Sequence, residues 1–214
     1  MKNTRMFYGL SDQQINLAKQ QLEGGVKSYK RGEIVIKENA IVKEIGIILN
    51  GSLCISMFTI DGREILMQKL VPFYLIGAEI ACTISQDAPY TMYSTNDTDI
   101  LWFSVDKIMD KGFLDDDIRL IMLRNIMYLI ADENIRKYYK IELITVHSVR
   151  ERIVRYLTLQ RKKAGANKFH IKLNREELAN FLAVNRSVLS HELKLMEKEG
   201  MIVVKKNYFE ITRL

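Results

Sequence analysis

Residues 174–200 read Asn-Arg-Glu-Glu-Leu-Ala-Asn-Phe-Leu-Ala-Val-Asn-Arg-Ser-Val-Leu-Ser-His-Glu-Leu-Lys-Leu-Met-Glu-Lys-Glu-Gly, and no other stretch constrains the fold as tightly. The pattern is two short helices with a tight turn between them. Asn174 stands at an N-cap position, and Glu177 three residues on completes a capping box, in which each side chain satisfies a backbone N–H that the first helical turn leaves bare. Leu178, Ala179 and Leu182 recur at helical spacing, Ala183-Val184 carry the turn, and Asn185 is placed to cap the second helix. On that helix Leu189, Leu193 and Met196 share one face, while Arg186, Ser187, Ser190, His191 and Lys194 share the other. An apolar face backed by a short polar face at the helix start is what reading base edges in the DNA major groove requires. The alternative is a helical hairpin buried in a core.

The residues after Gly200 favour the first reading. Residues 201–204 are strand-like, Lys205-Lys206-Asn207 is a basic turn, and residues 208–211 form a return strand. A helix-turn-helix continued by a basic-tipped hairpin is a winged helix, with Lys205 and Lys206 placed to meet phosphate. Residues 170–173 are expected to add a third strand. Residues 141–214 carry 15 Lys and Arg against 8 Asp and Glu, net +7, whereas residues 1–140 carry 17 against 18. All the excess positive charge lies in the last third, the footprint expected of double-stranded DNA as partner.

The 214 residues leave room for two domains, and a 48% hydrophobic content is ample for their cores. No N-terminal run reads as a signal peptide, and the most apolar helical stretch is interrupted by Arg124 and Asn125, so no membrane association is expected. Two cysteines, Cys54 and Cys82, make no disulfide scaffold, and a cytoplasmic chain is the default. They read either as small buried apolar residues or as a redox switch.

The N-terminal region reads as a small helix over residues 11–22 and then short strands over 25–28, 33–37, 45–49, 53–59, 64–69, 90–95 and 99–104. Asn50-Gly51 and Asp61-Gly62 mark hairpin turns. Evenly spaced short strands predict a β-barrel or jelly roll. From Asp115 a helix with acidic residues at its N-terminus is expected to run to about residue 141. Its apolar positions form two stripes, one through Ile118, Ile121, Asn125, Tyr128 and Ile135, another through Leu123, Met127, Ile130 and Ile141. A helix apolar on two sides has two things to touch, here its own barrel and a partner helix in a parallel homodimer. Asn125 reads either as a register-setting seam residue or as a solvated position. The expected fold class is α+β: a β-barrel/jelly-roll sensor domain over 1–114, a long dimerisation helix over 115–143 and a winged helix-turn-helix over 144–214.

Barrel, long helix and winged helix in this order resemble the CRP/FNR family of bacterial transcription regulators. Three patches carry the resemblance: Leu49-Asn50-Gly51-Ser52-Leu53 with Asp61-Gly62-Arg63-Glu64; Ser148-Val149-Arg150-Glu151-Arg152-Ile153-Val154-Arg155-Tyr156-Leu157; and the helix-turn-helix with Glu199-Gly200-Met201-Ile202. The resemblance implies a homodimer on a pseudo-palindromic site, with RNA polymerase as a further partner. It also implies that Arg186 contacts bases, while Ser187 stands where the family usually has Glu and His191 where it usually has Arg. Family members that bind cyclic AMP carry a Gly-Glu pair and, further on, an Arg that neutralises the phosphate. Here Gly77 is present, Glu79 is displaced by one, and no Lys or Arg lies between Lys69 and Lys107. A buried phosphate without a cation is prohibitively costly, so cyclic AMP is not the expected effector.

The oxygen-sensing branch of the family holds an iron–sulfur cluster on cysteines, and no cysteine precedes Cys54. All three histidines come after the long helix, which argues against haem and against a barrel metalloenzyme. No cofactor, no metal and no enzymatic nucleophile motif is therefore expected. Tyr74, Ile76, Gly77, Glu79, Tyr90, Thr91, Met92, Met122 and Tyr128 are the candidate lining of a pocket for a small aromatic or amphipathic effector, or else the filling of the barrel. The functional reading is a homodimeric regulator gated by a small molecule other than cyclic AMP. The alternatives are a constitutive DNA-binding protein whose barrel is only a dimerisation scaffold, and a thiol-redox-gated regulator.

Overall fold

A computed structural model describes residues 4–213. The chain is α+β and divides into two compact units, neither of them contiguous. One comprises the residues up to Ser56 together with Leu70–Arg136; the other comprises Met57–Lys69 and residues 137 onward.

In the first unit a 3-10 turn, Arg5–Phe7, precedes α1 (Asp12–Gln21). Ser11 caps α1 reciprocally with Gln14, so two otherwise bare N–H groups are satisfied. The strands are β1 (Gly25–Tyr29), β2 (Ile34–Ile36), β3 (Glu44–Asn50), β4 (Leu53–Phe58), β5 (Glu64–Leu70), β6 (Leu75–Ile76), β7 (Thr91–Ser94) and β8 (Thr98–Ser104). They form two four-stranded sheets, ordered β1-β8-β3-β6 and β2-β7-β4-β5. Ile45 faces Phe103 and Ile47 faces Leu101 across β3 and β8, and all four are buried. The β3–β4 turn depends on glycine: Gly51 has φ +85°, and a Cβ there would lie 2.2 Å from Thr98 Oγ1 and 2.6 Å from Asp97 O. Strand β6 and the short helices α2 (Ala78–Ala81) and α3 (Val105–Met109) are additions to the expected pattern. Two to five residues carry too little periodicity to be read from sequence.

The long helix α4 (Asp116–Thr145) starts where expected, with Asp116 and Asp117 in its first turn, and runs four residues beyond the expected end. Ile118, Met122, Asn125 and Ile126 are buried, whereas Leu120, Met127, Tyr128, Ile135, Tyr138 and Ile141 are exposed large apolar side chains. Asn125 fits neither expectation for it. It is only 5% exposed, and its Nδ2 donates to the carbonyls of Met6 and Tyr8 at 3.0 and 2.8 Å. Carbonyls of the N-terminal turn, out of reach of any secondary-structure ladder, explain a buried amide on an apolar helix face.

The second unit holds α5 (Val149–Ala164), β9 (Lys168–His170), α6 (Arg175–Phe181), α7 (Arg186–Lys198), β10 (Ile202–Lys205) and β11 (Tyr208–Ile211). Its sheet is ordered β10-β11-β9. The third strand of the wing therefore exists, two residues earlier than expected, with Phe169 opposite Phe209. Leu157, Leu178, Leu182, Leu189, Leu193, Met196 and Phe209 are buried in this unit. The same unit contains the Met57–Lys69 part of the β4–β5 hairpin. Lys69 Nζ donates to Glu177 at 2.7 Å, and Asn180 Nδ2 donates to Glu64 at 2.8 Å.

Candidate nucleic-acid interface

The capping box at the start of α6 forms as the sequence predicts. Asn174 Oδ1 accepts from Glu177 N at 2.9 Å, and Glu177 Oε2 accepts from Asn174 N at 2.7 Å. Asn185 occupies the N-cap position of α7, but its side chain makes no capping bond, in contrast to the expectation. The turn between the helices is closed by Val184 N donating to Ala179 O, and Ala183 takes a left-handed φ of +54°.

Helix α7 divides as its spacing requires. Leu189, Leu193 and Met196 are buried; Asn185, Arg186, Ser187, His191 and Lys194 are exposed or half-exposed, and Ser190 is half-buried. Among the described residues, the side chains of Arg186, Ser187, His191 and Lys194 make no hydrogen bond or ion pair. Four donor-bearing side chains on one face are thus uncommitted. The orientation of α7 is fixed from behind by Arg150 on α5, whose Nε donates to Glu192 at 2.5 Å while Nη1 and Nη2 grip Glu199 at 2.7 and 2.9 Å. These two carboxylates hold the Arg150 guanidinium above its ordinary pKa, and Arg150 in turn holds Glu199 below its own.

Lys205 ends β10 and Lys206 forms the wing turn with φ +54°; both are exposed. Arg175 is a residue that the sequence pattern does not single out. It opens α6, donates from Nη2 to Lys206 O at 3.4 Å and lies over the Phe209 ring, while its Nη1 is buried without a hydrogen-bond partner. Burial, and then the positive Arg186, lower its pKa. Its place beside Arg186 and the wing turn sets a second guanidinium next to the candidate phosphate contacts, with the unsatisfied Nη1 itself sealed from solvent. The only local signal for it is its place directly after the N-cap Asn174.

In the first unit the candidate effector residues fall into four environments. Ile76, Met92 and Met122 are fully buried. Gly77 is the left-handed N-cap of α2, and Thr91 begins β7. The polar members pair up: Tyr90, itself buried, donates its hydroxyl to Glu79 Oε1 at 2.5 Å, and the Tyr74 hydroxyl donates to Glu133 on α4. Burial and the Glu79 charge push the Tyr90 phenol far up, so it stays protonated as a donor. Tyr128 stands apart with 58% exposure. Arg136 supplies a cation that residues 70–106 lack: it stacks on Tyr74 and is ion-paired to Glu133 at 2.9 Å. Cys54 is buried as expected, but Cys82 is exposed at the end of α2. Burial and then the neighbouring Glu79 raise the Cys82 pKa, the opposite of what a reactive thiolate needs.

A two-sheet barrel, a long helix and a winged helix-turn-helix with an uncommitted basic reading face define the DNA-binding transcription regulators with a cyclic-nucleotide-binding-like domain. The chain belongs to the CRP/FNR family: residues 151–214 match the Crp-like helix-turn-helix domain and residues 26–111 the cyclic nucleotide-binding domain. None of the curated proteins matches the chain in sequence. Among solved structures, the c-di-GMP responsive global regulator CLP of Xanthomonas campestris shares 16% identity at a TM-score of 0.75, over 95% of this chain and 100% of that one. FixK2 from Bradyrhizobium japonicum shares 14% at 0.68, over 89% and 93%. A CooA mutant from Carboxydothermus hydrogenoformans shares 16% at 0.69, over 90% and 85%. At these identities the likeness is one of fold. Among the described residues, no helix is long and apolar enough to cross a membrane, and no group of three or more His, Cys, Asp or Glu could hold a metal ion.

Proposed function

We propose that the protein is a homodimeric, sequence-specific DNA-binding transcription regulator, gated by a small molecule other than cyclic AMP and acting in the cytoplasm on RNA polymerase at its target promoters. It is not an enzyme. The observation that carries this reading is the uncommitted face of α7. Arg186 is placed for a guanine edge, with Ser187, Ser190, His191 and Lys194 along the same groove, and Lys205, Lys206 and Arg175 contact phosphate.

The homodimer rests on α4. Leu120, Met127 and Ile141 fall at multiples of seven residues, Tyr138 occupies the alternate seam position, and each is more than half exposed in the single chain. Apolar residues at heptad spacing are covered by a second copy of the same helix. Two recognition helices then meet a pseudo-palindromic site about one DNA turn apart. The effector binds near Tyr74, Tyr90 and Glu79, beside Ile76, Gly77, Thr91, Met92 and Met122. Its binding shifts the population between arrangements of the DNA-binding unit. Selection from a random duplex pool, with sizing of the complex afterwards, tests the proposal. Recovery of a two-fold symmetric site bound by two copies is expected; a monomer with no sequence preference overturns it.

A further inference from the structure

Three consecutive carbonyls at the helix-turn-helix turn, those of Phe181, Leu182 and Ala183, are each taken by a cation. Lys140, near the C-terminal end of α4, donates to Phe181 O. Arg152, on α5, donates from Nη1 to Leu182 O at 3.0 Å and Ala183 O at 3.3 Å, and from Nε to Val146 O at 2.6 Å. Arg63, in the β4–β5 turn, reaches Ala183 O at 3.4 Å. All these residues belong to the second unit. The last carbonyls of a helix have no intrahelical partner and carry the negative end of its dipole, so cations are the natural cap.

Lys140 is the unusual member. It is only 5% exposed, lies over the Phe181 ring at 3.8 Å, and donates a second hydrogen bond to Leu66 O in β5 at 2.9 Å. Among the described residues it makes no ion pair. The charged group that acts on it is Arg152 from α5, a like charge; Arg63 of the hairpin turn and the ion-paired Lys69 and Glu177 are engaged elsewhere in the same unit. A buried ammonium without a carboxylate costs stability, and burial and Arg152 together pull its pKa down to about 7. An apolar residue there would avoid that cost. What Lys140 supplies instead is a single donor group joining two segments far apart in sequence: the carbonyl of β5 and the carbonyl that starts the turn into α7.

We infer that Lys140 is a positioning residue for DNA recognition, pinning the helix-turn-helix turn to the β4–β5 hairpin so that hairpin, end of α4 and recognition helix move as one body. The inference rests on the proposed DNA-binding function, but one arm of its test does not. In that arm, hydrogen exchange is measured on the DNA-free protein, wild type and Lys140→Met. Loss of the shared donor is expected to speed exchange in residues 57–69 and 181–186 together, with α5 unchanged. Unchanged exchange in either segment overturns the inference. In the second arm, the affinity for the site recovered by selection is compared with that for a scrambled duplex at one salt concentration and pH. The ratio is expected to fall about tenfold in Lys140→Met, with non-specific affinity retained. A ratio within about twofold of wild type overturns the inference, whatever the absolute affinities. Lys140→Leu, which likewise lacks a donor, serves both arms if the Met variant does not fold. Failure to recover any preferred sequence sinks the proposed function and leaves the exchange result standing by itself.

Discussion

Arg150 holds Glu199 with two parallel hydrogen bonds, 2.7 and 2.9 Å long, and so ties the first helix of the DNA-binding unit to the far end of the recognition helix. The fork matches a carboxylate in a way a lysine cannot. Glu199 is held below its ordinary value near 4.5, so its contribution is fully present above that value and is lost as pH falls through the lower folded one. Arg150→Ala is expected to lower the melting temperature at pH 7 and to flatten the loss of stability on acidification below about pH 4.5. Calorimetry of wild type and variant from about pH 3 to 7 measures both.

Ala183 turns the chain between α6 and α7 at a φ of +54°, where a Cβ is strained and where helix-turn-helix turns often use glycine. Ala183→Gly relieves the strain but adds freedom to the unfolded chain. The net expectation is a gain of about 0.5–1 kcal/mol, with DNA affinity unchanged. Urea unfolding should show a higher midpoint at the same slope; a lower midpoint would mean that the turn tolerates its side chain without strain.

The reading face makes a code prediction. Arg186→Ala should cost about 1–3 kcal/mol and flatten preference at one base pair. Lys205→Ala should weaken all sequences alike and reduce the salt dependence by about one counterion. Ser187 can donate or accept, so it should leave the base pair that a Glu would read loosely specified, and Ser187→Glu should restore a cytosine there. Sequencing of selected duplexes for each variant decides it. Strong discrimination at that base pair by the wild type would count against the assignment of Ser187.

Cyclic AMP should not bind. Residues 70–106 offer no cation, and Arg136, the cation beside Tyr74, is already neutralised by Glu133. Titration calorimetry at millimolar nucleotide should show no saturable heat, because breaking that ion pair to meet a phosphate leaves Glu133 unpaired in a half-buried site. A saturable isotherm in wild type that vanishes in Arg136→Ala would show that Arg136 does change partners.

Much of the DNA-binding unit is legible in sequence because its signals are local. The Asn174–Glu177 box spans three residues, and the apolar face of α7 repeats at helical spacing; in the first unit Gly51 is likewise legible as a turn where φ is positive. What the sequence misreads or passes over has the opposite property. Asn125 is satisfied by carbonyls more than a hundred residues earlier, and Lys140, which no local pattern singles out, by one in β5 and one in α6. A polar residue on a helix looks solvated until the distant backbone that accepts from it is known. Asn185 fails in a different way: it stands at the right position, yet its side chain makes no bond to the helix it precedes.

The non-contiguous make-up of the second unit bears on how the protein can be cut and recombined. A fragment that starts at the link before α5 looks like a complete module in sequence, yet it leaves behind Arg63, Glu64, Lys69 and Lys140. Glu177, Asn180 and the carbonyls of the turn then lose partners. A transplanted reading head has to carry its hairpin strap with it, and an evolutionary exchange of heads between barrels would succeed only where the recipient strap offers equivalent cations.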